Sequence, residues 1–422
     1  MKIWTIAIGE PLPVKGNTDR MHRCGLLNNI LVEKGHNVVW WSSTFNHFKK
    51  TQYFDERTTL SINNNYSIEL LYGSFYKRNI SFSRIRNHWE IGQQFRKEVV
   101  NYEKPEIIFC GFPSIELAYY ATKYSINNSI PIIIDARDAW PDVFLSVLPI
   151  IVKPIAKIFL QKYYTMTKYI FSNATAITGI TDGFVDWGFK YAGRSKTNFD
   201  RGFYLGYPIE DYDEQKVENE WHNWEKIGLA KDDFIISYVG AITKNKIELG
   251  PIINAARSLT GNSKVKFVIA GDGDDKVKFQ NQIHKMGISN IIFPGWINKY
   301  QIKSLLENSS LGLVPLRNRF DYMLSIPNKP LEYLANKLPI ISSLNGELKK
   351  LINDEKIGVF YSNDADLVSI INLFLSEKSK LDEMVINCNN LFKNKFNAEL
   401  IYFNLANHIQ NLRNDTMNRL GS

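Results

Sequence analysis

Residues 311–342 constrain the fold more than any other stretch. Leu311–Pro315 is apolar and strand-like, and a polar loop with Arg317, Arg319 and Asp321 follows. Ser325-Ile326-Pro327-Asn328-Lys329-Pro330 then leads into a helical run, Leu331–Lys337. Pro339 breaks that helix, and Ile340–Ser342 reads as a second short strand. A strand–loop–helix–strand run is the unit from which parallel sheets are built. Proline fits the first turn of a helix, where its missing N–H costs nothing, so residues 325–329 feed a helix N-terminus. The free N–H groups and partial positive charge there suit a phosphate. Lys329 and Glu332 are three apart and share one helix face. Two readings follow: a cation and a carboxylate that hold a diphosphate and a ribose diol, or a surface ion pair worth little.

The same alternation occurs twice. Lys2–Ile8 reads as a buried strand and Gly9–Asn17 as a loop. Asp19 is placed to cap a helix running to about Lys34. Gly35-His36 ends it, with His36 as a turn residue rather than a ligand, and Asn37–Ser42 is the next strand. Further strands are expected at Ile68–Tyr72, Ile107–Cys110, Ile132–Ile134 and Ala174–Thr178. Residues 200–232 change from aromatic to mostly charged, which marks a boundary. A second series of strands follows at Phe234–Val239, Val265–Ala270, Ile291–Phe293, Leu311–Val314 and Gly358–Tyr361. The expectation is an α/β protein with two Rossmann-like, doubly wound parallel-sheet domains. These are residues 1–205 and 206–395, with a C-terminal helix, 396–422, returning toward the first.

Open parallel sheets bind ligands at the carboxyl ends of their strands. In the first domain that edge carries Asp135-Ala136-Arg137-Asp138-Ala139-Trp140-Pro141-Asp142, costly to bury without purpose. The readings are a functional edge or a charged turn over a packed Trp. In the second domain it carries Gly240, Gly271 with Gly273, and Gly295, each able to admit a ligand close to the backbone. Asp-x-Asp pairs at Asp211/Asp213, Asp272/Asp274 and Asp364/Asp366 read as caps or solvated turns rather than metal ligands.

The net charge of +8 is unevenly placed: residues 1–200 hold 24 Lys and Arg against 17 Asp and Glu. A basic half implies an anionic partner. Nucleic-acid-binding signatures are missing, so an anionic membrane surface is the expected partner and nucleic acid is not. Residues 143–181 contain no acid and four lysines, Lys153, Lys157, Lys162 and Lys168. Lys153, Lys157 and Lys168 share a stripe with Gln161 and Thr165, while Ile155, Ile158, Phe159, Tyr163, Met166 and Ile170 face elsewhere. That pattern is either a membrane-surface helix or a core-packing helix with a solvated lysine face. Cys24, Cys110 and Cys388 show neither metal nor disulfide spacing, which fits a reducing compartment. No apolar run reaches the length of a signal peptide or a membrane span.

Taken in order, these motifs resemble family-4 retaining glycosyltransferases of the GT-B fold, in the bacterial branch that builds O-antigen or capsular polysaccharide. The marks are Lys34-Gly35-His36-Asn37-Val38, Ile134-Asp135-Ala136-Arg137-Asp138-Ala139-Trp140-Pro141, Tyr238-Val239-Gly240, Ile269-Ala270-Gly271-Asp272-Gly273, Phe293-Pro294-Gly295 and Ser325–Ala335. The resemblance implies two domains facing a cleft, a nucleotide-sugar donor (UDP-sugar first) in the C-terminal domain, and a glycan or lipid-linked acceptor in the N-terminal one. Glu332 takes the place of the second Glu of the family's E-x7-E motif, which binds the ribose. Leu324 stands at the first Glu and Ala241 at the usual Arg. Donor contacts are then expected from Gly240, Lys246, Gly271, Trp296, Ser325, Ile326, Pro327, Lys329 and Glu332. Gly16, Asn17, Arg137, Asp138 and Trp140 fall on the acceptor side. Asp138, Arg137 and Lys329 are the catalytic candidates. No cofactor and no metal are implied, and the protein is placed on the cytoplasmic face of the cell membrane. A nucleotide-sugar 2-epimerase-like isomerase and a non-catalytic binding subunit are the competing readings.

Overall fold

The computed structural model describes residues 1–14, 19–79, 81–146 and 148–421, so Gly16 and Asn17 lie outside the described residues. The chain divides into two compact units. One comprises Met1–Gly206 and Ala398–Ser422, the other Tyr207–Asn397.

Among the described residues the first unit carries ten strands: β1 (Lys2–Ile6), β2 (Asn37–Ser43), β3 (Phe45–Asn46), β4 (Thr51–Gln52), β5 (Thr58–Asn63), β6 (Tyr66–Leu71), β7 (Ile107–Phe112), β8 (Ile132–Ala136), β9 (Ala176–Gly179) and β10 (Arg201–Gly202). Eight form one sheet in the order β10-β9-β8-β7-β1-β2-β6-β5, and β3 and β4 pair separately. Every ladder in the large sheet is parallel except β5 with β6. The strand order reverses between β1 and β7. β5 is a polar, largely exposed edge strand, so its composition carries no burial signal. The expected cap at Asp19 is not used. The helix starts at Arg23, and its N-cap, His22, makes no side-chain bond. Asp19 pairs instead with Lys49 at 2.8 Å, while Glu10 Oε2 accepts the Cys24 N–H at 2.8 Å. A carboxylate from another loop therefore satisfies the helix end. His36 is a buried residue leading into β2, after Gly35 at φ +80°.

The helix Ala398–Gly421 belongs to this unit because it has an apolar stripe to bury. Tyr402, Leu405, Ala406, Ile409 and Leu412 recur at helical spacing and join Trp40, Phe109 and Ile133 in one core.

The second unit carries β11 (Phe234–Val239), β12 (Val265–Ala270), β13 (Ile291–Gly295), β14 (Leu311–Val314), β15 (Ile340–Ser342) and β16 (Gly358–Phe360). Their order is β13-β12-β11-β14-β15-β16, parallel throughout. The chain steps from β11 out to β13 and returns on the far side of β11. The reversal between β11 and β14 opens the crevice where doubly wound sheets bind ligands.

Candidate functional site

The β11–β14 reversal brings together two loops far apart in sequence. Arg317, just after β14, donates its N–H to the Lys246 carbonyl at 2.9 Å and its Nε to the Lys244 carbonyl at 2.7 Å. Lys246 is exposed there. β14 then delivers the chain to a helix at Asn328–Ala335, three residues earlier than the pattern predicts. Pro330, Leu331, Tyr333 and Leu334 bury one face of it. Tyr333 Oη donates to the Leu313 carbonyl at 3.1 Å. Its ring lies over Gly312, where a Cβ would sit 2.4 Å from Cδ2. Only glycine admits the ring, so this contact fixes the helix on the sheet.

On the outer face Lys329 Nζ meets Glu332 Oε2 at 2.7 Å, and Tyr207 Oη reaches Glu332 Oε1 at 3.3 Å. Glu332 is thus oriented from both sides. The N-cap, Pro327, makes no side-chain bond to the first turn. Ser325 Oγ donates backward to the Tyr322 carbonyl at 3.1 Å, and Ile326 is buried. Trp296 is 76% exposed after the edge strand β13, three places from β14 in sheet order.

Two of the glycines at this edge also serve close packing of the backbone. At Gly271 (φ +130°) a Cβ would fall 1.9 Å from the Gly240 carbonyl oxygen, and at Gly273 (φ +158°) 2.3 Å from that of Ile242. The close approach is between neighbouring loops. Of the Asp-x-Asp pairs, Asp213 caps the helix Glu214–Lys226, Asp272 pairs with Lys276, and Asp366 accepts the Ser362 N–H.

In the first unit the 135–142 segment divides into three kinds of residue. Asp135 is fully buried. It accepts from Arg23 through both oxygens at 2.8 Å, from Arg137 Nε at 2.7 Å and from Thr178 at 2.8 Å. Burial alone would raise its carboxyl, but Arg23 and Arg137 overcome that and hold it below the usual carboxylate range. Arg137 also pairs with Glu10 and stacks against Gly111. Nε and Nη1 of its guanidinium are held in this buried network, while Nη2 has no hydrogen-bond partner among the described residues. Asp142 accepts from Tyr164, Trp187 and Tyr191 and is structural as well. Asp138 and Trp140 are left partly accessible. Asp138 Oδ1 accepts the Ala139 N–H at 2.7 Å. Trp140 lies between Arg84, whose guanidinium is 4.6 Å from the ring centroid, and Phe144 at 4.6 Å.

The lysine helix, Lys153–Ser172, packs only its C-terminal half on the unit. Met166, Thr167, Ile170 and Phe171 pack inward. The residues expected on a buried face nearer its start do not: Ile155, Ile158 and Phe159 are exposed, as are Ile150 and Ile151 before it, at 82% and 88%. Lys157, Lys162 and Lys168 are exposed among and beyond them, and Lys153 is half-buried.

No local motif marks Arg23, Glu10, Tyr207 or Arg317, because their partners lie well away in the chain, 125 residues in the case of Tyr207 and Glu332. Arg84 bonds mostly to near neighbours, but its stacking on Trp140 is not visible in any local pattern.

Comparison with solved structures places this fold. Sucrose-phosphate synthase from Thermosynechococcus elongatus superposes with a TM-score of 0.69, at 13% identity, over 97% of this chain and 98% of that one. Anabaena Alr3699/HepE, solved in complex with UDP, gives 0.64 at 13% identity over 97% and 100%. WaaG, a glycosyltransferase involved in lipopolysaccharide biosynthesis, gives 0.60 at 12% over 97% and 99%. The fold is α/β of the GT-B class. Within it, residues 219–390 match the family model described as Glycosyl transferases group 1. The uncharacterized glycosyltransferase MJ1059 of Methanocaldococcus jannaschii is 26% identical over 129 residues, 31% of this chain and 30% of that protein's length. Over residues 219–390 the chain is thus similar to group 1 glycosyl transferases, and the solved structures show the fold. No helix among the described residues is long and apolar enough to cross a membrane.

Proposed function

We propose that the protein transfers a sugar, with retention, from a nucleotide-diphosphate sugar to a glycan or lipid-linked acceptor in bacterial surface polysaccharide synthesis. The observation that carries this is the Lys329–Glu332 pair at the start of a helix delivered from the β11–β14 crevice, with Tyr207 bracing the carboxylate. Glu332 binds the ribose hydroxyls. Lys329, Lys246 and the helix N–H groups take the diphosphate, whose charge grows as the glycosidic bond breaks. Uridine is the favoured base, since HepE is solved with UDP and, in another structure, with UDP-glucose. The acceptor hydroxyl attacks from the face the phosphate leaves, and a departing phosphate oxygen takes its proton. Asp138 orients that hydroxyl. Cationic side chains do the work a metal would do, so turnover persists in excess EDTA. Loss in chelator and recovery with Mg²⁺ or Mn²⁺ would refute this part.

The acceptor is lipid-linked in this reading, and the protein works on the cytoplasmic face of the membrane. Support comes from the exposed apolar segment 150–159 with its lysines, which matches an anionic bilayer in both polarity and charge. The direct test of function is release of free UDP from UDP-glucose and related donors. Transfer requires acceptor. Acceptor-free conversion of the sugar would indicate an isomerase, and UDP binding without any turnover a binding subunit.

A further inference from the structure

Two cations in the first unit, Arg84 and Lys50, are held side by side. Arg84 Nη1 donates to the Asn79 carbonyl at 2.8 Å, and Lys50 Nζ donates to Asn79 Oδ1 at 2.6 Å. Both lie against Tyr76, Lys50 Nζ 4.9 Å and Arg84 Cζ 5.9 Å from its ring centroid. Arg84 Nε makes a longer contact, 3.4 Å, with His88 Nε2. Among the described residues neither cation has a carboxylate within ion-pair distance; Asp138 acts on Arg84 only from further off. The cluster sits at the carboxyl edge of the sheet, at the start of the helix Phe82–Glu98, whose cap Ser81 accepts the Arg84 N–H at 3.2 Å. Trp140 roofs it, with His88 stacked on the Trp at 5.9 Å.

Holding two like charges together in a half-buried site is unfavourable until an anion joins them. The histidines add no charge of their own. Burial first, and then the neighbouring cations, push His47 down to about 4 and His88 to about 3, so both are neutral at pH 7. His47 Nδ1 lies 2.6 Å from Tyr76 Oη, which fixes the ring that both cations rest on.

We infer that Arg84 and Lys50 form a binding site for a phosphate or diphosphate group carried by the acceptor, with the buried Tyr76 as its floor and Trp140 flanking the sugar beside it. This rests on the proposed transferase reading and names its acceptor class: a phosphate ester whose sugar hydroxyl reaches Asp138. The exposed Phe75, Phe82 and Trp89 nearby would contact an apolar tail if the ester is a lipid.

The test is calorimetric titration of the full chain with inorganic pyrophosphate. With the donor site saturated by UDP, the expected result is saturable pyrophosphate binding that is weakened at least tenfold in Arg84→Gln/Lys50→Gln. Lys50→Gln alone, at a loop position, should weaken it severalfold if the double variant folds poorly. A short isoprenyl diphosphate and a hexose 1-phosphate, compared at the same site, identify a lipid or a soluble source by the tighter one. Equal pyrophosphate affinity in wild type and the double variant, or none in either, overturns the proposal. Donor binding is read separately by UDP, so the two claims fail independently.

Discussion

Lys329 and Glu332 are paired with each other at 2.7 Å, and a bound donor would divide them between its two polar groups. The consequences of losing each differ. Lys329→Ala removes charge that matters most when the diphosphate leaves, so kcat should fall ten- to a hundredfold with a smaller change in nucleotide affinity. Glu332→Ala removes contacts made equally in ground and transition states, so KM should rise about tenfold with kcat largely kept. Steady-state kinetics separates the two, and equal effects on both constants would contradict the division of roles. This pair was legible because two prolines, Pro327 and Pro330, mark a helix start and the spacing follows from helix geometry. Tyr207 was not, since only the folded chain brings its hydroxyl to Glu332.

At the scale of elements, the end of β8 shows how one motif can hold several roles. Its composition announced an unusual strand end but could not sort Asp135 and Arg137 from Asp138. What sorts them is Arg23, on a helix more than 100 residues earlier, and Glu10 in the loop after β1. Breaking a buried ion pair strands its partner, so Asp135→Asn should destabilise the protein by about 3–5 kcal/mol. Asp135 is held below its unfolded value near 3.9. Its contribution is therefore complete above pH ~4 and lost as the pH falls below that, toward its folded value. Denaturant midpoints at pH 7 and pH 3 test this. The gap between wild type and variant should narrow at pH 3, and a constant gap would show that Asp135 does not titrate with folding. The helix starts were less legible than the strands. Asp19 looked like a cap, yet tertiary contacts supplied Glu10 instead. β5 escaped because an edge strand facing water needs no apolar alternation.

At the scale of the whole chain, the two runs of strand and helix were visible because buried parallel strands are apolar throughout. The exposed apolar start of the lysine helix was not, because periodicity alone assigns such residues to a core. Each Ile or Phe fully transferred from water contributes about 1.5–3 kcal/mol, against about 1 kcal/mol for each lysine near an anionic surface. Membrane attachment should therefore depend on both. Ile158→Asn/Phe159→Asn should abolish flotation with anionic vesicles, and replacement of the four lysines by glutamine should weaken it and remove its salt sensitivity. Equal recovery on neutral and anionic vesicles would reject the charge component. If the double asparagine variant bound as wild type does and only self-association were lost, a second copy would be the occupant of that face.

The central claim is that the second unit holds a nucleotide-sugar donor through Lys329 and Glu332, and a thermal shift with nucleoside diphosphates tests it most directly. A ligand present at a hundred times its Kd stabilises the folded state by about 2.7 kcal/mol. UDP should raise the melting temperature of the wild type by several degrees, more than ADP or GDP does, and the rise should shrink in both Lys329→Ala and Glu332→Ala. No rise with any nucleoside diphosphate, or the same rise in wild type and both variants, would contradict it.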